Sequence, residues 1–287
     1  MLELMPTADK ELFTYKYVNG HPGNPKYGKQ TVIATGQLSE IKHGYPLLIS
    51  EMTILTALRT AAATILATDY LARKDSKTMA LIGTGAQSEF QTLAHKLIRP
   101  IQTVRYFDTD PQAMKKYANN MKDVDLEFIA CDSAKEACEG ADIIVVCTAC
   151  KLHAIVIEND WIKEGVHISG LGGDCPGNKT ELDMDILFRG KVVVEYKEQS
   201  MIEGEIQNLS PQQVEQVLHA EVWEILTGNK KGRENDKEIT IYDSVGFAIE
   251  DFSALRLTLD LAEKYDIGSQ MDMVPPIKDP KNLFSVL

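Results

Sequence analysis

Residues 170–183, GLGGDCPGNKTELD, place an acid in a stretch of nearly bare backbone. Four glycines, a proline and Asp174 fall within residues 170–177, directly after the apolar run VHIS. Glycines leave space for a ligand beside the backbone, and a carboxylate there can deprotonate an ammonium, position water or protonate a departing nitrogen. The same pattern fits an Asx-type turn or an N-cap before the helix in TELDMDILF. The segment therefore predicts either a catalytic acid or a turn.

The segment ALIGTGAQSEF, residues 80–90, places GxGxxS between a predicted strand and a predicted helix. Gly83 permits a tight turn and Gly85 lets a pyrophosphate approach the backbone. The helix N-terminus then offers unpaired N–H groups to the phosphates. Ser88 takes the place of the usual third glycine and is still small enough for close helix–strand packing. This segment predicts a dinucleotide-binding turn.

Asp108 stands at the end of the next predicted strand, TVRYFD. An acid at this position accepts hydrogen bonds from ribose hydroxyls and repels a 2′-phosphate, which favours NAD over NADP. The same carboxylate would also suit a cap for the turn DTDP. Together with the glycines, Asp108 predicts an NAD site.

No metal site is predicted. The six histidines show no metal-ligand spacing. Cys147 and Cys150 form a CxxC, but the other three cysteines lack the spacing of a second zinc-binding pair. The pair ends the apolar run IIVVC, so a structural role is predicted for it.

Short apolar runs alternate with helical patterns between about residue 77 and residue 245. Most runs lack strict alternation, which is typical of strands buried on both faces of a parallel sheet. They are residues 78–83, 103–108, 126–130, 141–148, 166–172, 191–196 and 238–244. Helical patterns lie at residues 88–98, 111–122 and 133–140. This order predicts βαβ units in a Rossmann-type, doubly wound α/β domain.

The two ends of the chain have a different pattern. Residues 3–20 and 29–40 resemble strands joined by turns, and long helices are predicted over residues 50–73 and 248–265. We expect residues 61–266 to form the Rossmann domain. It would be inserted in an α+β domain built from residues 1–60 and 267–287.

Composition and charge limit the classes of partner. The formal net charge is −12, with 44% hydrophobic and 25% charged residues. Nucleic acids and anionic membranes bind basic faces, so neither is an expected partner. No apolar run has the length of a membrane span, and the N-terminus lacks the pattern of a secretory signal. With an odd number of cysteines, five, this predicts a cytoplasmic protein with reduced thiols.

Six segments together resemble the ornithine cyclodeaminase/μ-crystallin family. They are KYVNGHPGN (16–24), GYPLLISEMTILTALRTAA (44–62), IGTGAQSEFQ (82–91), GGDCPGNKTEL (172–182), EGEIQ (203–207) and DSVGFAIED (243–251). The resemblance implies a homodimer with tightly bound NAD that converts L-ornithine to L-proline and ammonia. The domain built from the chain ends would bind substrate and form the dimer contact.

The resemblance also implies the substrate site. Lys16 and Arg59 would hold the substrate α-carboxylate, Val245 would line the substrate, and Glu3 would lie near its amino groups. Asp174 would be the catalytic acid/base. Judged by the residues alone, Lys16 fits a surface lysine on an amphipathic strand. Arg59 fits either a solvated helix position or a partly buried cation that needs an anionic partner.

The cofactor contacts that the resemblance implies are spread along the chain. They are Thr31, Arg59, Gly83, Gly85, Ala86, Gln87, Asp108, Thr148, Leu171, Gly172, Gly173, Asp174, Lys179 and Ser244. NAD would take a hydride from the substrate Cα and return it to the cyclic imine, so the cofactor would not be consumed. Ammonia would leave after attack of the δ-amine or of water.

The sequence departs from the family pattern in two places. The family carries a further substrate-binding arginine in a segment before the position of Met1, and Asn178 is an insertion within its PGKTEL pattern. We therefore expect either a truncated chain or a substrate held by one cation fewer.

Two other functions fit the same scaffold. One is a net oxidoreductase, either an NAD(P)-dependent imine (ketimine) reductase or an amino-acid dehydrogenase. The other is a nucleotide-binding protein without turnover. Lysine could also replace ornithine as the substrate in a slightly roomier pocket.

Overall fold

A computed structural model describes residues 2–21, 23–148, 155–172 and 180–286. The strands are β1 (Leu2–Ala8), β2 (Leu12–Gly20), β3 (Val32–Glu40), β4 (Pro46–Glu51), β5 (Thr78–Ile82), β6 (Thr103–Phe107), β7 (Glu127–Ala130), β8 (Ile143–Val146), β9 (His167–Gly170), β10 (Lys191–Val194), β11 (Leu218–Glu221) and β12 (Thr240–Asp243). The helices are α1 (Thr53–Leu71), α2 (Ser88–Ile98), α3 (Pro111–Met121), α4 (Ala134–Cys138), α5 (Met184–Arg189), α6 (Lys197–Glu203), α7 (Pro211–Val217), α8 (Val222–Leu226) and α9 (Ala248–Tyr265).

The chain divides into two compact units. One unit combines Met1–Thr56 with Ala248–Leu287, and the other is Ala57–Phe247. None of the helices in the described ranges has the length and apolar composition required to cross a membrane.

The unit built from the chain ends is an antiparallel sheet packed against a helix. Strands β1, β2, β3 and β4 pair in chain order. Leu255 of α9 packs with Ala34 of β3 and with Met52, and all three side chains are buried. The expected boundary at residue 266 is therefore wrong, because α9 belongs to this unit. An apolar stripe on a helix must be buried somewhere, and the sequence pattern does not show which sheet will bury it.

The unit of residues 57–247 contains eight parallel strands in the order β11-β10-β12-β9-β8-β5-β6-β7. Alternate residues of β5 and β8 pack in two different core clusters, one on each face of the sheet. This burial explains the continuous apolar runs in the sequence. The predicted Rossmann-type α/β fold, with a separate antiparallel sheet, is confirmed.

The connections reverse direction between β5 and β8. Strands β6 and β7 extend the sheet on one side of β5, and the chain then returns to place β8 on its other side. Ligands of open α/β sheets bind outside the carboxyl ends of the strands at such a switch point. The turns after β5, β8, β9 and β12 are therefore the candidate site of this unit.

Candidate active site

The turn after β5 is shaped for close approach of a ligand to the backbone. Gly83 has φ = 96°, and a Cβ atom there would lie 2.8 Å from the carbonyl oxygen of Cys147. Gly85 is exposed, with nothing within 4 Å of the position of a Cβ atom. Gly83 therefore makes the turn possible, and Gly85 keeps its outer side open.

The N-terminus of α2 follows this turn and is open to a ligand. Gln87 occupies the N-cap position, and its side chain does not cap the helix. Its Oε1 atom is buried without a hydrogen-bond partner among the described residues. Unpaired N–H groups of a first helical turn bind phosphates. The turn and the helix N-terminus therefore fit the pyrophosphate of a dinucleotide.

Asp108 lies against the same turn. Its Oδ2 atom accepts hydrogen bonds from the N–H of Thr84 at 2.7 Å and from the Thr84 hydroxyl at 3.1 Å. Its Oδ1 atom accepts from the N–H of Asp110 at 2.9 Å. Asp108 thus caps the DTDP turn and is joined to the glycine turn. Both sequence interpretations of this acid fit its position.

A buried carboxylate holds the turn after β12. Glu195 accepts hydrogen bonds from the hydroxyls of Tyr242 at 2.6 Å and Ser244 at 2.7 Å. It also accepts from the N–H groups of Val245 at 3.0 Å and Gly246 at 2.6 Å. Four donors on one buried acid fix this turn firmly, because breaking any of them leaves a buried polar group unsatisfied.

The guanidinium of Arg59 lies beside the same turn. Gly246 has φ = 83°, and a Cβ atom there would be 3.1 Å from Nη2 of Arg59. Arg59 is half-buried on α1. The turn therefore brings two predicted substrate residues together, the Arg59 guanidinium and Val245.

Three further acids form a ladder at the carboxyl edge of the sheet. Asp243 accepts a hydrogen bond from the N–H of Glu205 at 3.0 Å. The Glu205 carboxyl group accepts from the N–H groups of Glu181 and Leu182, both at 3.0 Å. The Glu181 carboxylate accepts from the hydroxyl of Thr148. Each acid thus holds the next segment of the chain.

Burial raises the pKa of two acids in the ladder. The pKa of Glu205 lies well above its ordinary value because the group is desolvated and because Asp243 and Glu181 add like charge. Desolvation raises the pKa of Asp243 to about 7, and the charge of Glu195 acts in the same direction. Burial therefore favours the uncharged form of both carboxyl groups.

Lys16 lies in the other unit and is not a surface lysine. Its side chain is 1% exposed, and Nζ lies 2.9 and 2.8 Å from the two carboxylate oxygens of Asp251. An ammonium that loses its water needs an anionic partner, which Asp251 on α9 supplies. The interpretation as a surface lysine is therefore wrong.

Of the other predicted residues, some lie within the described ranges and the rest lie outside them. Glu3 is half-buried on β1, Thr31 is half-buried before β3, and Ala86 is exposed. Leu171 packs against the core beside β8 and donates its N–H to Val146. Gly173, Asp174, Lys179 and Cys150 lie outside the described residues.

Five acids that hold neighbouring groups in these sites had no predicted role. They are Glu181, Glu195, Glu205, Asp243 and Asp251. Two of them carried a usable signal: Glu195 directly follows β10, and Asp243 ends β12. An acid at the carboxyl end of a buried strand lies at the ligand edge of an α/β sheet.

The profile of the family described as "Ornithine cyclodeaminase/mu-crystallin family" matches residues 1–265. The chain belongs to this family. The predicted resemblance is confirmed over almost the whole sequence.

Family relatives include proteins with different names. An ornithine cyclodeaminase of Agrobacterium fabrum is 52% identical over 287 residues, which is all of this chain and 80% of the relative. A lysine cyclodeaminase, solved to explain recognition of L-lysine, L-ornithine and L-2,4-diamino butyric acid, has a TM-score of 0.91. It is 30% identical, and the match covers 100% of this chain and 82% of that one. An archaeal alanine dehydrogenase dimer with bound NAD has a TM-score of 0.88 and 35% identity, over 95% of this chain and 84% of the other.

Proposed function

We propose that this family member is an ornithine cyclodeaminase that converts L-ornithine to L-proline and ammonia. The observation that carries the proposal is the 52% identity with the Agrobacterium fabrum ornithine cyclodeaminase along the entire chain. The solved alanine dehydrogenase shares only 35% identity, so net amino-acid oxidation is the less favoured chemistry.

NAD is the proposed cofactor, and the glycine turn and the N-terminus of α2 would hold its pyrophosphate. The buried Oε1 atom of Gln87 and the open backbone at Gly85 support this assignment. Asp108 would accept hydrogen bonds from the ribose hydroxyls. Further proposed contacts are Ala86, Thr148, residues 171–174, Lys179 and Ser244. When bound, NAD would supply reversible hydride acceptance, so that the hydride is returned within the same turnover.

Arg59 is proposed to bind the substrate α-carboxylate and to contact the cofactor as well. A guanidinium forms two parallel hydrogen bonds to a carboxylate, which fixes the orientation of the amino acid. Glu195 fixes the turn beside the guanidinium, so that Val245 and Gly246 have defined positions. Gly246 supports this role because any side chain there would crowd the guanidinium.

Lys16 is proposed as a second ligand of the substrate carboxylate. An ammonium has three donors, and the buried ion pair with Asp251 fixes Nζ without removing its positive charge. Glu3 is proposed to lie near the substrate amino groups, and Thr31 to contact the cofactor. Asp174 is proposed as the acid/base that exchanges protons with the substrate nitrogen or with water.

A homodimer is proposed through the four-stranded sheet. One face of this sheet packs on α9 through Ala34. On the opposite face, Leu2, Leu4 and Ile49 are 65%, 61% and 49% exposed. A contiguous apolar sheet face of this kind is typical of a protein–protein interface. The archaeal alanine dehydrogenase of the same fold is a dimer.

The test is to incubate the purified protein with L-ornithine and a trace of NAD and to follow proline, ammonia and NADH together. We expect proline and ammonia in equal amounts, far above the NAD supplied, without net NADH. Accumulation of NADH in step with product would show a dehydrogenase instead. Binding of NAD without any product would show a nucleotide-binding protein.

A further inference from the structure

Glu181 is the acid of the ladder that lies nearest to the proposed cofactor residues. Its side chain is almost completely buried, and its carboxylate accepts a hydrogen bond from the hydroxyl of Thr148, two residues after the end of β8 at the switch point. The same carboxylate lies against Gly172, where any Cβ atom would overlap it. Glu181 therefore binds one position that the proposed function assigns to NAD contacts and lies against a second.

The bond to Glu181 fixes the direction in which the Thr148 hydroxyl donates. A threonine hydroxyl has one proton and two lone pairs, whereas a carboxylate only accepts. Because the Thr148 hydroxyl donates its hydrogen bond to Glu181, its oxygen can take part in a further hydrogen bond only as an acceptor. Thr148 would then accept a hydrogen bond from a ligand N–H or hydroxyl group.

The position of Glu181 is fixed by the acids behind it. Its N–H and the N–H of Leu182 are both bound by the carboxyl group of Glu205. The N–H of Glu205 is bound in turn by Asp243 at the end of β12. A side chain that binds a ligand keeps its orientation best when the residue bonded to it is itself held by buried neighbours. The three acids thus link Asp243, at the end of β12, to Thr148, two residues after β8.

We infer that Glu181 is a positioning residue for cofactor binding, which holds the Thr148 hydroxyl as a hydrogen-bond acceptor toward a donor group of the dinucleotide. The inference rests on the proposed binding of NAD. Glu181 acts through Thr148 and is not itself a catalytic residue.

The test measures NADH affinity by fluorescence titration in the absence of turnover, for the wild type and for Glu181→Gln, Thr148→Val and the double variant. An amide can donate to Thr148 and reverse the direction of the hydrogen bond. We expect NADH binding to weaken about 10-fold in Glu181→Gln and in Thr148→Val. The double variant should bind no more weakly than Thr148→Val alone, because Glu181 acts through that hydroxyl.

Two control variants separate this role from a general loss of structure. Thr148→Ser keeps the hydroxyl and should bind NADH more tightly than Thr148→Val, which a purely structural role of the methyl group would not produce. Glu215→Gln changes an exposed glutamate of α7 and should have no effect. If Glu181→Gln does not fold, the Thr148→Val and Thr148→Ser pair still tests whether the hydroxyl contributes.

Wild-type affinity in Glu181→Gln or in Thr148→Val would overturn the inference, as would fully additive effects in the double variant. In each of these cases the proposed function stands, since the wild type binds NADH. Failure of the wild type itself to bind NADH would overturn the proposed function, and the inference with it.

Discussion

Strands β9 and β12 connect two buried polar clusters with opposite chemistry. At the amino ends of these neighbouring strands lie His167 and Thr240, and at the carboxyl ends lie Gly170 and Asp243. Buried imidazoles dominate the first cluster and buried carboxyl groups dominate the second. Each strand is four residues long, so the imidazole cluster and the carboxyl cluster lie at opposite ends of a short segment of sheet.

The amino-edge cluster satisfies its own polar groups. The Thr240 hydroxyl donates to the carbonyl of Leu71, so it accepts from Nδ1 of His167 at 3.0 Å. Nε2 of His167 then accepts from the hydroxyl of Thr68 or Ser169, at 3.2 and 3.1 Å. This network joins α1 to the sheet and pairs these polar groups with one another.

The carboxyl-edge cluster holds backbone that continues into turns. Glu195 binds the N–H groups of Val245 and Gly246, and Glu205 binds those of Glu181 and Leu182. Its acids therefore fix backbone at the carboxyl ends of the strands, where ligands of open α/β sheets bind. At the amino edge the buried groups pair with one another, whereas at the carboxyl edge they hold the turns of the proposed site.

Burial shifts the pKa values of the two clusters in opposite directions. Desolvation lowers the pKa of His95 to about 4 and that of His167 well below its ordinary value. It raises the pKa of Asp243 to about 7 and that of Glu205 well above its ordinary value. In both clusters the uncharged form is favoured, because charge is costly away from water.

The largest effect is expected from Asp174→Asn. If Asp174 exchanges protons with the substrate, kcat for proline formation should fall about 10²–10⁴-fold. NADH affinity should change little, because the amide keeps the size of the side chain. Asp185→Asn, at an exposed acid of α5, is the matched control and should retain wild-type kcat. Near-normal kcat in Asp174→Asn would assign this acid to a turn.

A smaller effect is expected from Gly83→Ala, which tests the glycine turn. A Cβ atom would meet the Cys147 carbonyl oxygen at 2.8 Å in a backbone with φ = 96°. The turn should relax, and restoring it on binding should weaken NAD affinity by about 10–100-fold. Gly140→Ala has a similar strain at φ = 76° but nothing within 4 Å, so it should destabilise the fold without weakening NAD binding. Equal affinities of the two variants in calorimetric titration would place the cofactor elsewhere.

The smallest effect is a change in the pH dependence of stability, which separates the two edges. The folded pKa of His95 lies below its ordinary value of 6.5, so its contribution to the free energy of unfolding is lost as pH falls below 6.5. Between pH 6.5 and 5, the wild type should lose about 2 kcal/mol relative to His95→Gln. His21→Gln, at an exposed histidine, should follow the wild type.

Asp243→Asn should change the curve in the opposite sense. Its folded pKa is raised from 3.8 to about 7, so its contribution is fully present below pH 3.8 and is lost as pH rises through 7. Urea unfolding from pH 5 to 8 should show wild-type stability declining relative to Asp243→Asn. Asp123→Asn, at an exposed aspartate, is the control. Parallel curves for His95→Gln and Asp243→Asn would contradict the opposition between the two edges.

Local sequence patterns predicted several regular elements of both units, because hydrophobic periodicity and capping residues mark them in the sequence. The predicted helix over residues 88–98 is α2, and the predicted helix over residues 248–265 is α9. The helix predicted from residue 50 begins at Thr53, because the preceding PLLISE joins the first sheet as β4. Strand β11 was not predicted, since LHAE lies in a stretch with helical spacing and becomes a strand only by pairing with β10.

The candidate site was predictable where a residue acts through its own backbone or its position after a strand. Gly83 and Asp108 follow that rule, and Asp108 meets the glycine turn as expected. Glu205 does not, because its contacts to Glu181 and Leu182 depend on how a distant segment folds against the sheet. The burial of Lys16 also depends on α9, more than 200 residues further along the chain.

The most direct test of the account follows the hydrogen on the substrate Cα. L-Ornithine deuterated at C2 is incubated with the protein and a trace of unlabelled NAD, and proline is analysed by mass spectrometry and NMR. Hydride transfer to bound NAD and back predicts proline that retains deuterium at C2 through many turnovers. Release of deuterium into solvent, or its accumulation in free NADH, would contradict a cyclodeaminase with an internally recycled cofactor.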